Sequence, residues 1–169
     1  QWWLAQPFRM LAHNGEINTL KGNVNWMKSH EIRMASNTFG ELAEDIKPII
    51  PAGASDSGAL DAVFEVLVRA GRNAPMAKTM MIPEAWSKTA VEMPQAWQDM
   101  YSYCNSVMEP WDGPAALAMT DGRWVCGGLD RNGLRPMRYV VTGDGMLIAG
   151  SEAGMVPVDE MTVREKGAL

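Results

Sequence analysis

Short clusters in this sequence combine side chains and backbone in ways that can do chemistry. The first is Phe8-Arg9-Met10-Leu11-Ala12-His13-Asn14-Gly15-Glu16-Ile17-Asn18-Thr19, where a short apolar run ends abruptly in His-Asn-Gly-Glu and a helix-like pattern follows at once. An Asn-Gly pair at such a junction can aim a side-chain amide and a backbone N–H at one point, which is the equipment that holds a developing oxyanion. Asn-Gly is also a preferred turn pair, but a hairpin would need a second alternating strand next, and a helical pattern arrives instead. The second cluster is Ser55-Asp56-Ser57-Gly58, just ahead of an apolar helix face. Asp56 can cap the helix there; if Ser55 or Ser57 caps instead, its carboxylate is released to hold a substrate ammonium. Spacing alone favours the cap. The third, Asp130-Arg131-Asn132-Gly133-Leu134-Arg135-Pro136, reads as a charged loop between strands in which Asp130 and Arg135 can pair. It lacks the glycine spacing and lysine of a phosphate loop.

No plausible nucleophile accompanies these groups. Cys104 lies on a helical apolar stripe and Cys126 sits in a strand between Val125 and Gly127, so both read as inert core thiols. His13 and His30 form no metal pair, and no Cys-x-x-Cys motif occurs. The 169 residues suffice for one domain, and 47% hydrophobic with 21% charged residues describes an ordinary globular protein. A net charge of −5 without any basic run excludes nucleic-acid and anionic-membrane partners. Apolar runs such as Met80-Met81-Ile82 are far too short to span a bilayer. The start, Gln1-Trp2-Trp3-Leu4, lacks the basic segment and cleavage pattern of a signal peptide, and two cysteines fit a reduced, cytoplasmic setting better than a disulfide framework. Opening without Met inside Trp-rich patterned sequence, the chain reads as a piece of a longer one. Most of its 14 Met and seven Trp read as core filling.

The elements that must position these clusters follow from periodicity. Phe8 to His13 is expected as a strand, and Ile17 to about Met34 as a helix weakened by Gly22. Lys47 to Gly53 is a loop, broken by Pro48 and Pro51. Leu60, Val63, Phe64, Leu67 and Val68 form a buried helix face that ends near Gly71. Met76 to Ile82 reads as a strand. Pro94 then opens a helix with the stripe Trp97, Met100, Tyr101, Cys104, Val107 and Met108. Beyond Pro110, Ala115–Met119 and Trp124–Gly128 flank the turn Asp121-Gly122, and Arg138–Thr142 and Met146–Ala149 flank Gly143-Asp144-Gly145. An antiparallel meander after a helical middle gives an α+β class, with the stretch from Pro157 as an exit from the domain.

Taken in order, His13 to Thr19, Ser55-Asp56-Ser57, Glu109-Pro110-Trp111-Asp112-Gly113-Pro114, Asp130 to Pro136 and Gly150-Ser151-Glu152-Ala153-Gly154 resemble the class II glutamine amidotransferase (glutaminase) domains of glutamate synthase large subunits. Each motif alone is weakly specific; the ordered set spans nearly the whole chain. The resemblance implies an N-terminal-nucleophile hydrolase fold, a four-layer αββα sandwich with antiparallel sheets, of which residues 1–157 would be a part and 158–169 the start of a connection to a downstream synthase region. It implies that Asn14 and the Gly15 N–H are the oxyanion donors, and that Asp56 binds the glutamine α-amino group, which overturns the preference for a cap. Glu16 would contact the glutamine head, and the Asp130 loop would be structural. The family's nucleophile is an N-terminal cysteine, and an arginine grips the substrate carboxylate. Residue 1 is Gln and Arg9 does not match that arginine, so both are expected upstream, and this piece alone is expected to be inactive. FMN and an iron–sulfur cluster are implied for the full-length enzyme and none in this piece. The implied partners are L-glutamine, the downstream synthase domains, and a small reductase subunit or ferredoxin, in the cytoplasm or a plastid stroma. Two other readings stand beside this one: a glutaminase domain of another class II amidotransferase, of the purine or glucosamine-phosphate type, and a non-catalytic binding or structural domain of the same fold.

Overall fold

The structure, a computed structural model, describes residues 8–34, 37–86 and 93–169; the opening Gln1 to Leu4 lies outside them. Strand β1 (Leu11–Gly15) leads into helix α1 (Leu20–Arg33). After a single 3-10 turn at Gly40–Ala43 come α2 (Asp56–Arg69), α3 (Ala74–Met81) and α4 (Gln95–Val107). The remainder is β2 (Ala115–Thr120), β3 (Val125–Leu129), β4 (Arg138–Thr142), β5 (Leu147–Gly150) and β6 (Val163–Ala168). One antiparallel sheet has the order β1-β2-β3 and the other β5-β4-β6, which gives the α+β class expected. Both glycine-bearing turns join their strands as read. Within the stretch from 158, β6 pairs with β4 along Val163–Ala168.

Helix α2 starts where its sequence says it should. Ser55 is the N-cap, its hydroxyl accepting from the Gly58 N–H at 3.0 Å. Leu60, Val63 and Phe64 are then essentially inaccessible, and each contributes roughly 1.5–3 kcal/mol by leaving water. They pack against Leu11, Ala115, Leu117 and Met119 from the inner face of the first sheet, with Trp111 and Met81 in the same core. Met76 to Met81 lies in helix α3, with Ile82 as its C-cap, rather than in the strand expected over Met76 to Ile82. Asn73 accepts from the Met76 N–H, Pro75 occupies the first turn, and Ala74, Ala77, Met80 and Met81 bury one face. The buried residues Ala74, Ala77, Met80 and Met81 fall at helical spacing, and Met, Ala and Lys are themselves good helix formers.

Helix α4 buries only part of its stripe. Cys104 and Met108 are inside, whereas Trp97, Met100 and Val107 are exposed, as are Trp26 and Trp124, so tryptophan is not mainly core filling among the described residues. The Asp130 loop also departs from expectation. Asp130 is buried rather than on the surface, and its carboxylate accepts the N–H groups of Ala115, Asn132, Leu134 and Arg135 at 2.9–3.1 Å. It therefore binds the backbone of Arg135, while the charge partner in this loop is Arg131, whose guanidinium meets Asp112 at 2.9 Å. Burial alone would raise the Asp130 carboxyl, but these N–H groups outweigh it and hold the group below the usual carboxylate range.

Asp130→Ala is expected to lower unfolding free energy by about 3 kcal/mol, because four backbone donors lose a charged acceptor. Denaturant titration checks this. With its carboxyl depressed in the folded state, the native protein holds this contribution above the unfolded-state pKa of about 4 and loses it as pH falls further. The variant lacks that acid-side dependence.

Candidate active site

The end of β1, the N-terminus of α2 and the segment Glu109 to Pro114 converge on one region. The Glu16 N–H donates to the Pro114 carbonyl at 3.0 Å, and the Asn18 N–H to the Asp112 carbonyl at 2.7 Å. Thr19 Oγ1 in turn accepts from the Asp112 N–H at 3.0 Å. Two backbones this close leave no space for side chains. A Cβ on Gly15 would run into the Pro114 carbonyl oxygen and lie 2.7 Å from Ala115 Cα. One on Gly113, whose φ of 143° already disfavours a side chain, would run into the Glu16 carbonyl oxygen. The buried Asn23 carboxamide fastens the same segment to α1 by donating to the Pro110 carbonyl at 3.1 Å.

This crossing sets the direction of the Asn14-Gly15 groups. β1 and β2 pair Asn14 with Ala116 and Gly15 with Ala115, and the Glu16-to-Pro114 and Thr120-to-Met10 bonds fix the ladder's phase. Antiparallel alternation then turns the Asn14 N–H toward β2 and the Gly15 N–H away from it, toward the edge of β1 that pairs with no strand among the described residues. Residues 12, 14 and 16 are exposed in this strand and its exit, whereas Leu11 faces the core. The Asn14 carboxamide and the Gly15 N–H are thus both outside the core at the strand's end, and Glu16 is exposed beside them.

Asp56 does not cap α2; Ser55 does. Its Oδ2 accepts the Ile17 N–H at 2.8 Å, which ties α2 to the exit of β1. Burial would raise the Asp56 carboxyl, but the N–H groups of Ile17 and Ser57, the nearby His13 and the Ser57 hydroxyl together hold it below the usual range. An ionised carboxylate on α2 thus stands at the exit of β1, the strand end at which Asn14 is exposed and the Gly15 N–H turns away from β2. The sequence offers Ser57 as a capping candidate and His13 as a histidine outside any metal pair, whereas in the structure His13 Nε2 lies 2.5 Å from Ser57 Oγ. The signal was available: residue 13 alternates with Asn14 and so faces α2. The loop Asp130 to Pro136 supports the strand entry from the end of β3, where Asp130 exchanges hydrogen bonds with Ala115.

Neither thiol is presented to the cluster as a nucleophile. Cys104 is buried on α4, and burial pushes both its thiol and that of Cys126 up, away from the reactive thiolate form. No group of three or more His, Cys, Asp and Glu side chains suited to a metal occurs among the described residues, and none of the described helices is long and apolar enough to cross a membrane.

The chain belongs to the class II glutamine amidotransferases, whose family pattern matches residues 1–169. Over 99% of its length it is 66% identical to the glutamate synthase (NADPH) large chain of Azospirillum brasilense, of which it covers 11%. It is 50% identical to the glutamate synthase (NADH) of Saccharomyces cerevisiae over 99% of this chain and 8% of that one. With the chloroplastic ferredoxin-dependent glutamate synthase 2 of Arabidopsis thaliana it shares 45% identity over 100% of this chain and 10% of that one. The chain thus spans about a tenth of the length of the curated relatives it matches.

Gly15→Ala and Gly113→Ala are each expected to cost more than about 3 kcal/mol, since backbone carbonyls occupy the space a methyl needs. Gly22→Ala, on the exposed side of α1 with nothing near its added carbon, is expected to stabilise by roughly 1 kcal/mol. Thermal unfolding of the three variants checks the contrast.

Proposed function

We propose that this chain is part of the glutaminase domain of a glutamate synthase large chain, which releases ammonia from L-glutamine for reductive transfer to 2-oxoglutarate. The observation that carries the reading is the placement of Asn14, Gly15 and Asp56 at one end of β1, with the Gly15 N–H turned outward. In this reading Asp56 receives the substrate α-ammonium as an ionised carboxylate. Asn14 and the Gly15 N–H donate to the amide oxygen as a thiolate attacks its carbon and negative charge moves onto that oxygen. Collapse of the adduct expels ammonia and leaves a thioester, which water hydrolyses to glutamate and the free thiol. Glu16 contributes to holding the glutamine head from the exposed side of the same turn.

We assign the attacking cysteine and the arginine for the substrate carboxylate to residues outside this chain; Cys104 is buried, Cys126 is half-buried, and burial pushes both thiols away from the thiolate form. The two Cys of the chain also cannot supply the ligand set of an iron–sulfur cluster. We assign that cluster, FMN and the contact with a reductase subunit or ferredoxin to the rest of the longer protein. The αββα layering belongs to the same reading; it is supported by Met137, which sits against Gly127 on the face of the first sheet opposite its helices. The setting we assign is the cytoplasm or a plastid stroma.

In the full-length protein, Asn14→Ala is expected to lower kcat for glutamine hydrolysis by about 100- to 1000-fold with little change in KM, as loss of a donor used only in the transition state requires. The isolated 169-residue chain is expected to release no ammonia from glutamine above background. A full-length Asn14→Ala variant with unchanged kcat, or ammonia release by the isolated chain, contradicts these role assignments.

A further inference from the structure

His13 and Ser57 have no part in the chemistry above, yet they form a connected chain with Asp56. His13 Nε2 lies 2.5 Å from Ser57 Oγ, and Ser57 Oγ lies 3.4 Å from Asp56 Oδ1. The other ring nitrogen, His13 Nδ1, is buried without a partner among the described residues. Burial lowers His13 below its ordinary value and outweighs the pull of Asp56, so the neutral ring carries one N–H. Placing that hydrogen on Nδ1 would bury an unsatisfied donor and make the Ser57 hydroxyl donate to the ring, leaving nothing for Asp56. Placing it on Nε2 lets both bonds form and leaves only an acceptor lone pair unused, the cheaper orphan. Donation then runs from His13 Nε2–H to Ser57 Oγ, and from the Ser57 hydroxyl to Asp56 Oδ1.

We propose that His13 and Ser57 are positioning residues whose donor relay, together with the Ile17 N–H on Oδ2, locks the Asp56 carboxylate in the orientation that receives the α-ammonium of glutamine. The proposal rests on the glutaminase reading. On the protein side Oδ2 accepts from Ile17 and Oδ1 from the Ser57 hydroxyl, with the Ser57 N–H also acting on the carboxylate, and the carboxylate stays partly accessible for a substrate cation. Ser57 is free for this duty because Ser55 already caps α2. His13 can reach it because strand alternation puts residue 13 on the helix-facing side while Asn14 faces out. The relay therefore ties substrate-head binding to the same strand that carries the oxyanion donors.

The test is steady-state glutamine hydrolysis by the full-length protein. Ser57→Ala and His13→Ala are expected to raise KM for glutamine about ten-fold while kcat stays within about two-fold, because a binding group is misoriented and the reacting centre is not. Ser57→Thr, which keeps the hydroxyl, and His13→Gln, which keeps a donor near the Nε2 position, are expected to recover most of the affinity. A merely structural role would lower kcat along with affinity and would not follow the donor. Asp56→Asn separates the two readings. If it raises KM strongly while Ser57→Ala and His13→Ala leave KM unchanged, the relay is wrong and the glutamine site stands. If Asp56→Asn itself leaves KM unchanged, the substrate assignment fails and the relay with it.

Discussion

The site depends on one backbone crossing. The turn after β1 passes over the strand entry at Asp112 to Ala115 at hydrogen-bond distance, through Glu16 to Pro114 and Asn18 to Asp112. Glycine at 15 and 113 is what permits that approach, because each lies where the other segment's carbonyl oxygen occupies the space of a side chain. Once the crossing forms, β1 is phased against β2, and the direction of every peptide group at the end of the strand is settled. The outward Gly15 N–H is a consequence of that phase and needs no further device.

Aspartates then take up the peptide groups that this irregular path leaves over. Asp61, fully buried on α2, accepts the N–H groups of Arg9, Met10 and Leu11 at 2.9 Å and so fixes the approach to β1. Asp130 does the same for the strand entry at Ala115 and its own loop. Asp121 accepts from Ala74, Arg123 and Trp124, joining the β2–β3 turn to the start of α3. Asp56 accepts from Ile17 but remains partly accessible. A carboxylate saturated by backbone donors is a structural anchor; one with lone pairs left and an open side can also take a ligand. That difference separates Asp56 from Asp61 and Asp130, though all are aspartates bound to peptide N–H groups.

Much of this was legible in the sequence. The capped apolar face of α2, the hairpin turns and the strand-to-helix setting of Asn14-Gly15 follow from local periodicity and turn chemistry. The run Met76 to Ile82 is too short and too evenly apolar at its end for periodicity to separate strand from helix, and the decisive signal is Asn73 followed by Pro75 at a helix start. Asp130 looked like a surface charge because its partners are backbone N–H groups, which no side-chain pattern records. The His13–Ser57 contact spans 44 residues and depends on how β1 packs on α2, so it emerges only once the fold is assembled.

The most direct measurement is a structure of the full-length protein with a glutamine analogue whose amide is replaced by a methyl ketone, so that attack by the thiolate leaves a trapped oxyanion. The predicted result places that oxygen about 3 Å from the Gly15 nitrogen and the Asn14 carboxamide, with the α-ammonium on the Asp56 carboxylate. An adduct whose oxygen meets other donors, or whose ammonium lies away from Asp56, would contradict the assignment of this strand end as the glutamine site.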